Sequence, residues 1–247
     1  MARTRILSLN INAGFDLSRR RFLLPALRDA VRQVDADIVL LQEVLGEHLA
    51  HARRHAQWPR EAQHAYLADT IWPHHAYGRN AEFAEGHQGN AVLSRFPIAT
   101  HGNHDVSVAG HEARGLLHVV VDRPATSDPL HLVNVHLGLR ESHRQRQVAQ
   151  LLEFVDGRIP VEAPLVIAGD FNDWRSRAHP LLRAAGLHEA FEDAHGRPAL
   201  TFPSPRPLLP LDRMYLRHVE THAVSVLRGR PWSRLSDHAG LLVELEN

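Results

Sequence analysis

Asp170 and Asn172 stand two residues apart in LVIAGDFNDW, directly after an apolar run that ends at Gly169. The same kind of break recurs along the chain. Asn10 and Asn12 follow ILSL, Glu43 closes DIVLLQE, and His136 closes HLVNVH. Asp212 precedes MYL, and Asp237 and His238 precede AGLLVEL. Carboxylates, amides and imidazoles thus collect at the ends of apolar segments. The chain has no cysteine, so its carboxylates form a hard oxygen donor set that suits Mg²⁺, Mn²⁺ or Ca²⁺ better than structural zinc. Imidazoles move protons near neutral pH, and amides can hold a phosphoryl oxygen without adding repulsive charge. A metal, a positioned water and donors aimed at developing charge are what phosphate-ester hydrolysis needs. That reaction is among the slowest that enzymes handle, with accelerations reaching roughly 10²¹-fold for monoesters.

These groups act together only if the elements that carry them converge. Residues 5–12 alternate with period 2 and read as a strand, with Leu7, Leu9 and Ile11 on one face. Residues 20–34 have helical spacing. Residues 37–43 are almost continuously apolar, as a strand buried on both faces would be. Further strands are expected at 90–94, 106–108, 165–168, 214–216, 223–227 and 239–245. A strand pair, 116–122 and 130–136, is expected across the turn PATSDP. Helices are expected at 141–155 and 180–185, with part of 46–70 also helical. The four prolines of TFPSPRPLLP make 201–210 irregular. Ligands of α/β sheets gather outside the carboxyl ends of strands. Asn10, Glu43, His136 and Asp170 lie at such ends, whereas Asp212 and Asp237-His238 lie at strand beginnings. All meet on one rim if the last strands run antiparallel to the others. The alternation of strands and helices predicts an α/β fold with mixed sheets covered by helices.

Composition narrows the function classes. The 247 residues show no repeat and no linker, so one domain, 1–247, is expected. Formal net charge is zero and every basic residue is arginine. A neutral chain lacks the bulk positive field of a dedicated nucleic-acid binder. Disulfides and thiolate metal sites are excluded. The apolar run in MARTRILSLNINAG is too short and polar for a signal-peptide core, and no stretch has the length of a membrane span. These features lead to the expectation of a soluble, cytoplasmic monomer.

The ordered set LNIN, LLQEV, GNAVLSRFP, NVHLG, GDFN, LDRMYL and LSDHAGLLVEL resembles the endonuclease/exonuclease/phosphatase family, from Leu9 to Leu245. That family includes deoxyribonuclease-I-like nucleases, abasic-site endonucleases, neutral sphingomyelinases and inositol polyphosphate 5-phosphatases. The resemblance implies a four-layer αββα sandwich of two mixed, mostly antiparallel sheets, and Mg²⁺-dependent cleavage of a P–O bond, with Mn²⁺ as a substitute. It makes Glu43 the principal metal ligand, with Asn10 nearby and Asp237 a second ligand or neighbour of the metal. Asp170 would orient or deprotonate the attacking water, and Asn172 would hold the phosphoryl group. His238 would contact the scissile phosphate, oriented by Asp212. His136 takes a position that is His in deoxyribonucleases and sphingomyelinases but Tyr in abasic-site endonucleases. Asn12 stands where many relatives carry Asp. Asn12, Asn90, Arg114 and Arg144 are candidate substrate contacts, with Gln147 beside Arg144.

Each residue also has a plainer reading. Glu43 alone is a solvated strand end, GDFN and SDH are ordinary turns, and Asn90 is a scaffold amide. His136 is a satisfied core histidine, and Tyr66, Trp72, Tyr77, Phe83 and Trp174 are packing rather than a pocket. Their joint placement in family order favours the functional reading. Fold does not fix substrate. The replacement of Tyr by His136, the neutral charge and the short chain favour a phosphodiesterase for a small or lipid-derived ester. A broad-specificity nuclease and a non-catalytic phosphate-binding module are the alternatives.

Overall fold

Twelve strands pair into two six-stranded sheets in the computed structural model, which describes residues 3–124, 126 and 128–246. In chain order the elements are β1 (Arg3–Asn10), α1 (Leu24–Val34), β2 (Ile38–His48), α2 (Leu49–Arg54), α3 (Gln63–Ala68), β3 (His74–Phe83), β4 (Gly86–Ser94), β5 (Ile98–Asp105), β6 (Gly115–Val121), β7 (Leu130–His136), α4 (Glu141–Arg158), β8 (Leu165–Asp170), α5 (His179–Ala184), β9 (His188–Glu189), α6 (Ala190–His195), β10 (Asp212–Arg217), β11 (Thr221–Leu227), α7 (Trp232–Leu235) and β12 (Gly240–Glu246). One sheet has the order β11-β12-β1-β2-β4-β3 and the other β5-β6-β7-β8-β10-β9. Only the neighbours β1–β2 and β7–β8 run parallel.

The period-2 alternation of apolar residues explains the layering. Ile6, Leu40, Leu132 and Val166 pack between the sheets. Their neighbours Leu7 and Leu41 face α1, against Leu27 and Val31. Val133 and Ile167 face α4, against Val148 and Leu151. Central strands are therefore buried on both faces, which is why 37–43 reads as a continuous apolar run. Each such side chain removed from water contributes about 1.5–3 kcal/mol. The result is the αββα sandwich that the sequence led us to expect.

Four boundaries differ from expectation. Helix α1 begins at Leu24 rather than residue 20, because Pro25 fits only a first helical turn; Phe22 instead bridges to Phe15. Residues 106–108 form no strand; β5 lies just before them and is exposed along most of its length. An edge strand so open has no apolar face to reveal it. Strand β3 was likewise hidden by its polar residues. Strand β2 continues past Glu43 to His48 through a bulge, with Glu43 at φ +56°. Within the turn PATSDP, Ala125 and Ser127 lie outside the described residues, as do Met1 and Ala2 of the N-terminal stretch.

A buried amide seam ties the sheets together near their shared rim. Gln42 donates to Asn134 Oδ1 at 2.7 Å, and Asn134 donates to the carbonyls of Leu41 and Ala91 at 2.9 and 2.8 Å. Asn90 donates to the carbonyls of Gly115 and Asn134 at 3.2 and 3.3 Å. Buried polar groups satisfied across an interface fix its register, so the strand ends of both sheets stay aligned.

Candidate active site

Three adjacent strands set His136, Asp170 and Asp212 abreast. His136 pairs with Asp170 across the parallel β7–β8 ladder, and Asp212 pairs with Asp170 across the antiparallel β8–β10 ladder. Gly169 permits the close approach. It has φ +143°, and a Cβ there would sit 2.0 Å from the Val135 carbonyl oxygen. In the other sheet β12 runs antiparallel to β1, which brings Asp237 and His238 to the end of β1 where Asn10 lies. The antiparallel condition set by the sequence is met on both sides.

The spacing of two has a common cause. The Asn172 N–H donates to Asp170 Oδ1 at 2.9 Å, and the Asn12 N–H donates to Asn10 Oδ1 at 3.0 Å. These are Asx turns, and the second residue of each takes a left-handed backbone, φ +51° and +46°. The His238 N–H donates to Ser236 Oγ at 3.3 Å in the same pattern. The first two turns end apolar strands and the third leads into one, and each leaves polar side chains at the rim.

Asp170 joins the two sheets. Its Oδ2 accepts from Asn10 Nδ2 at 3.1 Å and lies 3.5 Å from His136 Nε2 and 3.7 Å from His238 Nε2. Asn10 also donates to Glu43 Oε1 at 3.3 Å. His238 Nδ1 donates to Asp212 Oδ2 at 2.8 Å. Asp170, Asp212 and His238 are all buried. Asn172 donates one amide hydrogen to the Leu137 carbonyl at 3.0 Å, which leaves the second for a ligand. Asp237 accepts from Ser236 Oγ at 3.3 Å, and Ser236 Oγ also lies 2.6 Å from the Asn10 carbonyl.

Burial and charge separate the proton affinities. Burial pushes the Asp170 carboxyl up to about 7, with His238 opposing and Asp212 reinforcing the rise. Burial alone would lower His238, yet Asp212 and Asp170 hold its imidazolium, which deprotonates only at about 10. Burial, Arg114 and His238 drive His136 well below its ordinary value, so it is neutral. Burial raises Asp237, and Glu43 adds to that rise. Burial lowers Arg114, while Glu112, Asp170 and Glu43 hold its charge.

Two groupings can be weighed as metal sites. Asp170, Asp212 and His238 present ligand atoms within 4.8 Å of one another. In this trio His238 Nδ1 is already engaged with Asp212 Oδ2 at 2.8 Å, so the imidazole serves as a hydrogen-bond partner of the carboxylates. Glu43 with Asn10, Asp170 and Asp237 supplies oxygen donors from both sheets, a set whose hard chemistry fits Mg²⁺.

Several candidates occupy other roles. The Asn12 side chain donates to the Phe15 and Asp16 carbonyls at 3.4 and 2.9 Å and accepts from Arg19 Nε at 2.8 Å. It anchors its own loop rather than facing a ligand. Asn90 belongs to the intersheet seam. Arg144 donates to the Gly138 and Leu139 carbonyls and, at 2.7 Å, to Glu141. Arg144 is thus corrected from phosphate contact to support for the loop after β7, and Gln147, which bonds Gly138 N–H at 2.8 Å, joins it there. Arg114 donates through Nε to the Leu137 carbonyl and through Nη1 to the Ala113 carbonyl, both at 3.3 Å. Among the described residues its Nη2 has no hydrogen-bond partner, so it stays available near Asp170 and Glu43. Trp72 is fully buried and bonds the Ala36 carbonyl, while Trp174 is exposed beneath Arg175. Sequence reasoning missed Arg19, whose Nη2 binds Glu43 Oε2 at 2.8 Å. It also missed Ser236. Its position two before His238, matching the Asx spacing elsewhere, was the available signal.

Comparison with known proteins identifies the family. Residues 7–238 match the Endonuclease/Exonuclease/phosphatase family. The chain is 52% identical over 242 residues to "Uncharacterized protein YbhP" of Escherichia coli (strain K12), covering 98% of this chain and 95% of that one. Among solved structures, it is similar to an endonuclease/exonuclease/phosphatase from Beutenbergia cavernae DSM 12333, with TM-score 0.78 and 18% identity over 100% of this chain and 72% of that one. It is also similar to D. rerio TDP2 complexed with single strand DNA product, with TM-score 0.72 and 16% identity over 100% of both chains. The chain belongs to the endonuclease/exonuclease/phosphatase family and is a metal-dependent hydrolase of phosphoric esters.

Proposed function

We propose that this protein is a Mg²⁺-dependent phosphodiesterase, with Mn²⁺ as a substitute, acting on a small-molecule or phospholipid-type ester by attack of water. The observation that carries the reading is Asp170, a buried carboxylate bonded from Asn10 of one sheet and flanked by His136 and His238. Mg²⁺ held by Glu43 with Asn10 and Asp237 would polarise a phosphoryl oxygen and offset its charge.

The chain's own residues do the rest. Asp170, with a proton affinity near neutral pH, accepts the proton of the attacking water. His238 enters the reaction protonated, and Asp212 fixes its ring through Nδ1. Nε2–H is thus directed towards the reacting phosphate, where it stabilises negative charge and supplies the proton that the departing alkoxide takes. Asn172 steadies the phosphoryl group with its second amide hydrogen. Neutral His136 lies against Asp170 and limits its freedom, and Arg114 Nη2 adds positive charge at the rim. The chain is read as one domain, supported by the continuous cores; among the described residues no helix is long and apolar enough to cross a membrane.

A nuclease reading draws support from the TDP2 complex with single strand DNA product and from the arginines near Glu43. A non-catalytic module would not need the complete Asp170–His238–Asp212 array. The test is a panel of bis(p-nitrophenyl) phosphate, p-nitrophenyl phosphate, phospholipids, inositol phosphates and supercoiled plasmid, assayed with Mg²⁺ and Mn²⁺ on wild type and Asp170→Asn. Turnover of small or lipid diesters lost in the variant supports the proposal. Nicking lost in the variant supports the nuclease, and silence across the panel supports the binding module.

A further inference from the structure

We propose that Gln63 is a positioning residue for the metal-binding pair Glu43 and Asn10, acting through the two backbone segments that carry them. This deepens the reading of that pair as part of the Mg²⁺ site, and it rests on that reading.

Both segments leave regular structure where they present their ligand. The ladder between β1 and β2 runs as far as Asn10 and Gln42. Beyond it the chain turns through Asn12, Ala13 and Gly14, with φ of +46°, +55° and +82°. In β2 the pairing with β4 shifts register between Leu41 and Val44, and Glu43 sits in that bulge at φ +56°. Residues other than glycine rarely adopt this left-handed region, and they persist there only where the surroundings hold them. Asn12, Ala13 and Glu43 therefore all need an outside restraint. Asn10 meets Glu43 Oε1 at 3.3 Å, a long bond that sets their separation only loosely.

Gln63, the first residue of α3, bridges the two segments. Its Oε1 accepts from the Leu45 N–H at 2.9 Å, and its Nε2 donates to the Ala13 carbonyl at 2.8 Å. One planar amide thus ties the residue two after Glu43 to the residue three after Asn10. Gln63 is 1% exposed, and an unmet polar group is costly in such a place. The width of the amide therefore sets the distance between the two backbones. The brace has a firm base, because Leu67 and Ala68 of α3 belong to the same buried cluster as Leu24, Leu27 and Trp72.

The segments also share apolar contact through Ala13, Phe15 and Leu45. Apolar burial has no direction, so it holds the segments together without fixing how they are turned. The paired hydrogen bonds of Gln63 do fix it. Groups that orient metal ligands from behind carry about 10–100-fold in metal affinity.

The test is titration calorimetry of Mn²⁺ into the full chain freed of metal, with a thermal melt of each variant. Gln63→Met keeps the length and bulk of the side chain and loses both bonds. Its Mn²⁺ affinity should fall at least tenfold, about 1.4 kcal/mol. Gln63→Asn keeps the amide but is one methylene too short to meet both partners, and it should weaken Mn²⁺ as well. Trp72→Phe is the control. It removes a buried donor from the Ala36 carbonyl, just ahead of β2, and should lower the melting temperature while leaving Mn²⁺ affinity within twofold. Affinity within twofold of wild type in a folded Gln63→Met or Gln63→Asn would overturn the proposal, as would an equal loss in Trp72→Phe. Glu43→Gln is titrated alongside. If it binds Mn²⁺ as the wild type does, the metal reading of Glu43 fails and the proposal with it. If it loses Mn²⁺ while the Gln63 variants do not, the proposal fails alone.

Discussion

Asp212 lies directly opposite Asp170 in the register of β8 and β10, and one imidazole serves both carboxylates. His238 Nδ1 is 2.8 Å from Asp212 Oδ2, and its Nε2 is 3.7 Å from Asp170 Oδ2. One carboxylate therefore holds the imidazolium while the other, raised by burial, is left to exchange a proton.

This arrangement sets the pH dependence. As pH rises through about 7, Asp170 loses its proton and can take one from water, so the rate climbs. As pH passes about 10, His238 loses its proton and the rate falls. His136 is neutral throughout and contributes no limb. A kcat/KM profile with bis(p-nitrophenyl) phosphate checks this, and a rate flat from pH 5 to 10 would show that neither group does proton chemistry.

The same shift makes a prediction about stability. The folded value for His238 lies above its ordinary 6.5, so its stabilisation is fully present below about 6.5 and is lost as pH rises towards 10. The Tm of metal-free protein should fall over that window. In His238→Gln the fall should be shallower, which pH-resolved calorimetry would register.

Asp212→Asn removes the anchor of the imidazolium. Activity should drop by about 10²–10⁴-fold, the range for displaced acid–base catalysis, and the alkaline limb should move to lower pH. Loss of one partner from a buried pair should also cost about 3–5 kcal/mol. A denaturant melt together with the pH profile separates the two effects; an unmoved alkaline limb would remove Asp212 from its positioning role.

Arg19 pairs with Glu43 from an exposed loop position, its side chain 62% accessible. Arg19→Ala should change stability by no more than about 1 kcal/mol, as for other exposed pairs. It frees a Glu43 oxygen, so Mn²⁺ should bind several-fold more tightly by titration calorimetry. Unchanged Mn²⁺ affinity would mean that Glu43 does not hold the metal.

Gly169→Ala forces a Cβ to within 2.0 Å of the Val135 carbonyl oxygen at φ +143°. It should cost more than the roughly 1–3 kcal/mol typical of a strained residue, since backbone must move as well. Gly102→Ala, where a Cβ meets nothing within 4 Å, is the control. Similar melting temperatures for the two variants would contradict the close approach of β7 and β8.

The rim was legible because polar residues interrupt apolar runs at Asn10, Glu43, His136 and Asp170, and strands buried on both faces leave little ambiguity about where they end. The sense of β10 and β12 was legible only as a condition, since no local signal fixes strand direction. Strands β3 and β5 were hidden because exposed edges need no apolar alternation. Arg19 was hidden because loop φ/ψ values, here φ +54°, decide where a long side chain reaches. Arg144 misled for the opposite reason. Guanidinium chemistry suits phosphate and backbone carbonyls alike, and only the closed loop after β7 shows which it binds.

Asp170 is the proposed proton acceptor in metal-dependent hydrolysis of a phosphodiester. The most direct measurement is the rate of bis(p-nitrophenyl) phosphate hydrolysis by wild type and Asp170→Asn, each with Mg²⁺, with Mn²⁺ and after chelation. Turnover in the wild type should need the metal and fall at least about 10²-fold in the variant, the scale of a lost general base. Equal rates in the two proteins, or turnover that survives chelation, would contradict it.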